Sequence, residues 1–449
     1  MANTESLSPE VRNKMKNIAR GFFDPWAIVP TDTEPVRIEG DIPVALPIVD
    51  GRRFLFISKD QRALTHGIHK YPAKFFPELP RWIIQRYSER GDRVLDPFMG
   101  SGTVNLEASL LGRNNIGIDI DPFSKFLARV KTTPLPEHEL LSAWRSIQKR
   151  VDSYLEPDYL EGVPEFPYRD NWFKPHALKE LAHIKAEIEK TAASQKIKDF
   201  FLVCFSSVIR QVSEADNNCT RTVIRKTLGK QVLPGMAINL FLKRTETQVE
   251  NMRALSALEP SGDVFIPDDV DARDMGIVRG GSIDLAVTSP PYANAVDYPR
   301  THQLEIYWLG FADGSLQPLK AQHVGTEVVK SKDYSELHTT GCTDADKVIE
   351  QIFEVDPRRA YIAAKYLLDM FANLEEVYRV LKKKGYYVLV IGNNLMRGFE
   401  FETWKYLYDQ APRAGFKVET YFISEIINHF IKVPRKERIN DDYVLVLRK

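Results

Sequence analysis

The feature that most constrains the fold is a run of residues, 94–121, that reads as a strand, a glycine-rich loop, a helix and a second strand. The first strand is apolar and ends at Asp96. Gly100 and Gly102 follow it, and residues without a Cβ let the backbone turn sharply and approach a ligand closely. Together these features predict the βαβ unit of a doubly wound α/β sheet, with a ligand at the loop.

Polar side chains stand at the start of the predicted helix and at the end of the second strand. Ser101 or Thr103 is expected to cap its N-terminus. The second strand ends in Asp119, and an acid at that position of a βαβ unit can bind the hydroxyl groups of a ribose. The competing interpretation of Asp119 is an N-terminal cap on the next helix.

A second motif, Ser289-Pro290-Pro291-Tyr292, ends another apolar strand over residues 283–288. Its two prolines fix their own φ angles and donate no N–H, so they end the strand and stiffen the loop after it. Such a loop can accept hydrogen bonds from an exocyclic amine while the aromatic ring stacks on a planar heterocycle. A Pro-Pro turn with Ser289 as turn-former and Tyr292 in the core is the structural alternative.

Together the two motifs resemble the S-adenosylmethionine-dependent DNA amino-methyltransferases, the N4-cytosine and N6-adenine enzymes. Residues 96–103 match that family's cofactor loop, and Ser289–Tyr292 match its catalytic tetrapeptide. A third segment, residues 69–77, looks like the family's strap over the methionine end of the cofactor. The resemblance implies a seven-stranded, Rossmann-like methyltransferase sheet with an antiparallel last strand.

The resemblance also implies roles for individual residues, with S-adenosylmethionine as cofactor and no metal. The residues expected to hold the cofactor are Tyr71, Lys74, Phe75, Asp96, Phe98, Gly100, Ser101, Gly102, Thr103, Asp119 and Asp274. Asp274 is chosen as the acid that contacts the adenine amine, with Asp271 and Arg273 as alternatives. The Ser289 hydroxyl and the Pro290 carbonyl would accept hydrogen bonds from the target amine. Tyr292 would stack on the target base.

The order of predicted elements divides the chain into three parts. Residues 1–60 read as an N-terminal arm, and residues 61–131 with 262–449 as the catalytic domain. Residues 132–261 interrupt the α/β order and read as an inserted, mainly helical module, since no ordinary connection between strands is so long. Its predicted helices span 137–154, 175–191, 196–212 and 231–257. This module is the candidate target-recognition region, with Gly310 to Lys347 as a secondary candidate.

A base inside a duplex must be flipped out, or already single-stranded, to reach the tetrapeptide. The residues predicted to contact nucleic acid are Arg221, Arg225, Lys226 and Lys230 in the insertion, Asn294 and Asp297 beside the tetrapeptide, and Arg435 and Lys436 between the last two strands. Basic residues beside small hydroxyl residues suit phosphate contacts. Short basic runs and polar loops are also typical of solvated surfaces, so both interpretations stay open.

Composition excludes several alternatives. Lys+Arg and Asp+Glu both total 61, so there is no global basic field of the kind many nucleic-acid-binding proteins carry. Three cysteines are too few for a disulfide framework. None follows a proline, as the thiolate of cytosine-C5 enzymes does, and none pairs with another at metal-ligand spacing. The absence of a recognisable signal peptide or membrane-spanning run indicates the cytoplasm.

The sequence therefore predicts a site-specific methyltransferase that acts on the N4 amine of a flipped-out cytosine in double-stranded DNA. The preference for cytosine rests on Ser289, because the resembling adenine enzymes more often carry Asp or Asn there. An N6-adenine DNA methyltransferase is the alternative. Further alternatives are a catalytically inactive nucleic-acid-binding homologue and an enzyme acting on RNA or a protein amine. A cognate restriction endonuclease or another defence-system partner is compatible with this interpretation.

Overall fold

The structure is a computed structural model that describes residues 34–156, 161–293, 296–426 and 441–449. These residues form one nine-stranded sheet and a separate two-stranded hairpin. Successive residues of one central strand pack into different cores, since Val94 and Leu95 belong to separate buried clusters. The large sheet is therefore covered on both faces, as expected for a doubly wound α/β fold.

One strand of the large sheet runs opposite to its neighbours. The strands are β1 (Val36–Glu39), β2 (Arg52–Ile57), β3 (Arg93–Asp96), β4 (Asn114–Gly117), β5 (Val264–Phe265), β6 (Ile283–Thr288), β7 (Leu381–Gly392), β8 (Asn394–Met396), β9 (Phe399–Phe401), β10 (Lys417–Glu425) and β11 (Asp441–Arg448). The large sheet has the order β1-β2-β10-β11-β7-β6-β3-β4-β5, and β8 pairs with β9 in the hairpin. β11 is antiparallel to both of its neighbours, while the other pairs in this sheet are parallel. The α/β class and the reversed last strand are thus confirmed.

Two strands come from the segment predicted to be an arm. β1 and β2 pair in parallel, and β2 extends the sheet beyond β10. The prediction of an irregular arm is therefore wrong for residues 34–60, and the described residues contain nine strands in this sheet rather than seven. Phe54 and Phe56 are buried at alternate positions of β2, but two arginines precede them and obscure the period of two. Residues 1–33 lie outside the described ranges.

Helices surround the sheet. They are α1 (Glu78–Tyr87), α2 (Thr103–Leu110), α3 (Pro122–Lys131), α4 (Glu137–Asp152), α5 (Arg169–Trp172), α6 (Pro175–Glu189), α7 (Gln195–Ile209), α8 (Met236–Ala257), α9 (Tyr298–Thr301), α10 (Gln303–Trp308), α11 (Gln317–Gln322), α12 (Thr343–Val355), α13 (Pro357–Val380) and α14 (Thr403–Gln410). No helix within the described ranges is both long enough and apolar enough to cross a bilayer.

The four helices predicted within residues 132–261 are confirmed as α4, α6, α7 and α8. The last of them begins later than predicted, after Gly235, which adopts a left-handed conformation with φ of 80°. These helices share a hydrophobic core with the rest of the chain. Phe200 and Phe205 of α7 lie in the same buried cluster as Phe123 of α3 and Trp308 of α10. Packing therefore joins the insertion to helices outside it, α3 and α10.

The sheet order reverses at β3. The chain passes from β3 to β4 on one side and later returns to β6 on the other side. The crevice outside the carboxyl ends of the strands at such a switch point is the usual ligand site of open α/β sheets. The glycine loop follows β3, Asp119 follows β4 and Ser289 follows β6, so the predicted motifs converge at this crevice.

Candidate active site

A cavity of about 810 Å³ opens at the carboxyl ends of β3, β4 and β6. The predicted site residues that line it are Tyr71, Lys74, Phe75, Asp96, Phe98, Gly100, Ser101, Thr103, Asp119, Ser289 and Pro291. The glycine loop, the strap over residues 69–77 and two residues of the tetrapeptide, Ser289 and Pro291, therefore meet at one cavity, which Pro290 and Tyr292 do not line.

A hydrogen bond joins the cofactor loop to the catalytic strand. Thr288 Oγ1 donates to Asp96 Oδ1 at 2.6 Å, and the Phe98 N–H donates to the same oxygen at 3.1 Å. Burial raises the pKa of Asp96 to about 7, although the hydrogen bond from Thr288 opposes that shift. Because Ser289 is the residue after Thr288, this contact fixes Ser289 relative to the glycine loop.

The glycine loop turns where Gly100 and Gly102 adopt left-handed conformations, with φ of 50° and 72°. A Cβ on Gly102 would lie 2.7 Å from the Ala128 Cβ, because α3 crosses the start of α2 at this point. Gly102 is the N-cap residue of α2 and no side chain caps that helix. The predicted cap by Ser101 or Thr103 is therefore wrong. Gly102 does not line the cavity and instead permits close packing beneath it.

Two carboxylates lie at the end of β4. The Asp119 carboxylate accepts hydrogen bonds from the N–H groups of Gly100 at 2.8 Å and Asp121 at 2.9 Å. Burial raises the pKa of Asp119 to about 6, and the Asp121 carboxylate adds to the shift. Asp121, rather than Asp119, caps α3 by accepting from the N–H groups of Phe123 and Ser124. Asp119 is thus left facing the cavity, as the ribose assignment requires.

The polar atoms of the cavity fit S-adenosylmethionine. The Ser101 hydroxyl and Asp121 Oδ2 are buried and have no hydrogen-bond partner among the described residues. Unsatisfied buried oxygens are costly, so a polar ligand at this position is favourable. Asp119 and Asp121 both line the cavity after the second strand of the βαβ unit, where an acidic residue can accept from ribose hydroxyls.

The strap encloses the other end of the cavity. The Tyr71 ring stacks on Tyr298 at a centroid distance of 5.6 Å and on His302 at 5.1 Å. Lys74 Nζ donates to the backbone carbonyls of Gln61 at 3.1 Å and His66 at 2.8 Å. Burial lowers the pKa of Lys74 to about 8. Two of the three ammonium hydrogens are therefore used by the strap itself, and one is left for a ligand.

The structure places Asp271 at the cavity in place of Asp274. Asp274 is exposed, while Asp271 lines the cavity. The Asp271 carboxylate accepts from Arg273 Nε at 2.9 Å and from Arg273 Nη2 at 2.5 Å. Asp271 thus replaces Asp274 as the predicted contact to the adenine amine, because the turn between them points the later carboxylate to the surface.

The tetrapeptide is held from two sides. The Tyr292 hydroxyl donates to Asp442 Oδ1 at 2.7 Å, and the next N–H, that of Ala293, donates to Asn394 Oδ1 at 3.1 Å. Pro290 is buried and supports the turn. None of the described residues forms a hydrogen bond with the Ser289 hydroxyl, which is partly exposed at the cavity.

The basic segment of the insertion lies in a loop, residues 213–230, which we term the basic loop. Arg210 organises it by donating to the backbone carbonyls of Asp216 at 2.9 Å, Thr220 at 3.2 Å and Arg221 at 3.1 Å. The loop reaches the catalytic side of the molecule, because Thr222 Oγ1 donates to the Thr301 carbonyl at 2.8 Å.

The predicted nucleic-acid contacts in the basic loop fall into two groups. Arg221, Arg225 and Lys226 are exposed, although Arg225 lies 3.4 Å from the Asp216 carboxylate. Lys230 Nζ instead donates to two backbone carbonyls and to Asn217 Oδ1, all within 3.2 Å. Its assignment to DNA is therefore revised, because all of its ammonium hydrogens are used inside the loop.

Asp297 also has a structural role. Its carboxylate caps α9 through the Arg300 N–H at 3.0 Å and forms an ion pair with Lys320 at 2.9 Å. The Asp297 carboxylate is thus engaged in local bonds, in place of the predicted contact with an extruded nucleotide. The other predicted contacts, Asn294, Arg435 and Lys436, lie outside the described residues.

Three further residues of the site escaped sequence reasoning. Tyr298 and His323 line the cavity, and His323 Nε2 lies 3.9 Å from Asp121 Oδ2. Lys131 is fully buried beneath the glycine loop, where its ammonium donates to the Ser101 carbonyl at 3.0 Å. Tyr298 follows the tetrapeptide closely enough to have been suspected, whereas nothing in the local sequence marks His323 or Lys131.

Comparison with known proteins finds DNA methyltransferases. A family model described as DNA methylase matches residues 15–128. The type II methyltransferase M.MvaI of Kocuria varians is 26% identical over 411 residues, which cover 87% of this chain and 88% of the relative. The type II methyltransferase M.BsoBI of Geobacillus stearothermophilus is 24% identical over 310 residues, covering 64% of this chain and 60% of the relative.

Among solved structures, a SAM-dependent methyltransferase from Methanosarcina mazei matches with 12% identity and a TM-score of 0.30, covering 85% of this chain and 98% of that one. A likeness with so low a TM-score supports no conclusion about this chain. The sheet order and the cavity described above identify the fold. The family model and the type II relatives therefore support the DNA amino-methyltransferase family for this chain.

Proposed function

We propose that this protein transfers the methyl group of S-adenosylmethionine to the exocyclic N4 amine of a cytosine that has left the DNA duplex. The main support for the proposal is that Ser289 and Pro291 line the same cavity as the glycine loop and Asp119. Asp119, Asp121 and Ser101 would hold the cofactor. When bound, its sulfonium supplies an already activated methyl group.

The protein's task is then to align the amine and accept the charge that develops on it. An amine conjugated to a base is a poor nucleophile because its lone pair is delocalised into the ring. The Ser289 hydroxyl and the Pro290 carbonyl are the proposed acceptors for its two N–H groups, which favours a tetrahedral nitrogen. Tyr292 is proposed to stack on the base, and stacking on an aromatic side chain is tolerant of the sequence around the target.

Double-stranded DNA is the proposed substrate, and the exposed cations of the basic loop support it. Arg221 and Lys226 are solvent-exposed on a loop that contacts the backbone of α9 through Thr222. Contacts from such residues to phosphates position a duplex without reading its sequence. A cytoplasmic location and pairing with a cognate endonuclease are further parts of this proposal.

Nucleoside analysis tests the proposal. The full chain is incubated with methyl-labelled S-adenosylmethionine and mixed-sequence duplex DNA, and in parallel with RNA of similar length. The DNA is then digested to nucleosides. We expect label in N4-methylcytosine and none in RNA. Label in N6-methyladenine would reassign the target base, and label in RNA alone would reassign the substrate.

A further inference from the structure

The hydroxyl of Tyr292 is bound to a residue far away in the sequence. It donates to Asp442 Oδ1 at 2.7 Å, and both side chains are half-buried. A tyrosine at a loop beside a cavity can rotate about two side-chain bonds, so a partner at the far end of the ring restricts the plane that the ring presents. The hydrogen bond therefore sets the orientation of the ring.

Asp442 is itself fixed by the sheet. It lies at the start of β11, where it pairs with Gly392 of β7 on one side and with Ser424 of β10 on the other. Arg53 of β2 reinforces this edge, because its guanidinium binds the neighbouring carboxylates of Asp441 at 2.6 Å and Glu425 at 3.0 Å. Asp442, the acceptor for Tyr292, thus lies in a group of four hydrogen-bonded strands rather than in a loop.

The charge of Asp442 suits the role of acceptor. Burial raises the pKa of Asp442 to about 6, while the hydrogen bond from Tyr292 opposes the shift. The carboxylate therefore remains ionised at neutral pH. Burial and the nearby Asp442 charge raise the pKa of Tyr292 well above its usual value, so the phenol keeps its proton and donates it. A hydrogen bond from a neutral donor to a charged acceptor is stronger than one between neutral groups.

We propose that Asp442 is a positioning residue for the target base, because it holds the Tyr292 ring in the orientation in which an extruded base stacks. This inference rests on the proposed function, since it assigns the ring to the base. It adds a role for the carboxyl-terminal strand, which would orient the catalytic tetrapeptide as well as complete the sheet.

A double-mutant cycle tests the inference with the full chain. The variants are Tyr292→Phe, Asp442→Leu and their combination, with Asp442→Asn as the conservative replacement that still offers an oxygen acceptor. Methyl transfer to mixed-sequence duplex DNA is measured as kcat and KM, together with cofactor affinity by calorimetry. Thermal denaturation reports whether each variant folds.

We expect Tyr292→Phe and Asp442→Leu each to lower kcat/KM for DNA about tenfold, and the double variant to be no worse than either single one. Asp442→Asn should retain activity within about threefold of the parent, and cofactor affinity should not change in any variant. Tyr443→Phe is the matched control. It lies on the same strand with its ring stacked on Trp404 at 4.5 Å, and it should leave transfer unchanged.

Methyl transfer at the parent rate by both Tyr292→Phe and Asp442→Leu would overturn the inference. A loss of kcat/KM in the double variant equal to the product of the two single losses would also overturn it. If Asp442→Leu does not fold, Tyr292→Phe and Asp442→Asn decide the matter by the same criteria. A parent protein that methylates no DNA overturns the proposed function and the inference together, whereas an active parent with indifferent variants overturns the inference alone.

Discussion

The glycine loop and the basic loop are both contacted by a basic side chain that donates to backbone carbonyls, yet they differ in what the loop itself contributes. Lys131 is fully buried and donates to the Ser101 carbonyl of the glycine loop, while Arg210 donates to several carbonyls of the basic loop. The glycine loop also carries its own conformation in the left-handed Gly100 and Gly102. The comparison teaches that a loop with intrinsic backbone preferences is recognisable in a sequence, whereas the conformation of a loop organised by side-chain contacts is not.

The largest effect is expected where the glycine loop meets α3. Gly102→Ala would place a Cβ 2.7 Å from the Ala128 Cβ, on a residue with φ of 72°. We expect it to lower the free energy of unfolding by about 3 kcal/mol, from overpacking and left-handed strain together. Cofactor affinity should fall at least about tenfold, because the loop must shift. Urea denaturation and calorimetry measure the two effects.

Gly281→Ala is the control for this prediction. Gly281 has φ of 64° and nothing within 4 Å of an added Cβ, so the variant reports the conformational strain alone. It should cost only about 1–2 kcal/mol and leave cofactor affinity unchanged. Equal losses of stability in the two variants would show that contact with α3 is not what restricts Gly102.

Lys131→Met sharpens the comparison by removing the cation under the glycine loop. Burial lowers the pKa of Lys131 well below its usual value, so the folded state disfavours its charged form. This penalty lowers the stability of the folded protein at neutral pH. Methionine removes the penalty, and that gain offsets the loss of the hydrogen bonds. We expect stability to change by less than about 1 kcal/mol and cofactor affinity to fall about tenfold. Calorimetry against the exposed variant Lys383→Met tests this, and equal affinities would refute it.

Variants of the basic loop should distinguish residues that contact DNA from the residue that stabilises the loop itself. Replacing Arg221, Arg225 and Lys226 together with Ala should weaken DNA binding and reduce the slope of affinity against salt by about 2–3, without a change in stability. Lys230→Ala should instead cost about 1–3 kcal/mol of stability, because three acceptors lose their donor. Salt titrations of DNA binding and thermal denaturation measure both. An unchanged salt slope in the triple variant would remove this loop from the DNA surface.

A last predicted effect depends on pH. Asp96 has a pKa raised from 3.8 to about 7 by burial, so its folded form keeps a proton that the unfolded chain releases. Its contribution to stability falls as pH rises between those values and is lost above the higher one. Asn does not titrate, so the stability of Asp96→Asn relative to the parent should increase by at most a few kcal/mol between about pH 5 and pH 8. A difference in stability that does not vary with pH would contradict this assignment.

Sequence reasoning located the glycine loop, the strap and the tetrapeptide because each carries backbone constraints within a few residues. It identified the helices of the insertion from their apolar period, and it missed β2, whose arginines interrupt the alternation. The choice of Asp274 failed because the direction of a turn decides which of two nearby acids reaches the cavity. Asp442 and Lys131 could not be found, since their roles arise only when strands and helices distant in sequence pack together.

The central claim is that the cofactor cavity and the tetrapeptide form one active site with separable tasks. The most direct measurement compares cofactor affinity and methyl transfer to DNA in Ser289→Ala and Tyr292→Ala. We predict cofactor affinity within about threefold of the parent and a loss of transfer of at least about a hundredfold, because the amine loses an acceptor or its stacking surface. Transfer that persists in both variants, or cofactor binding that disappears with it, would contradict the account.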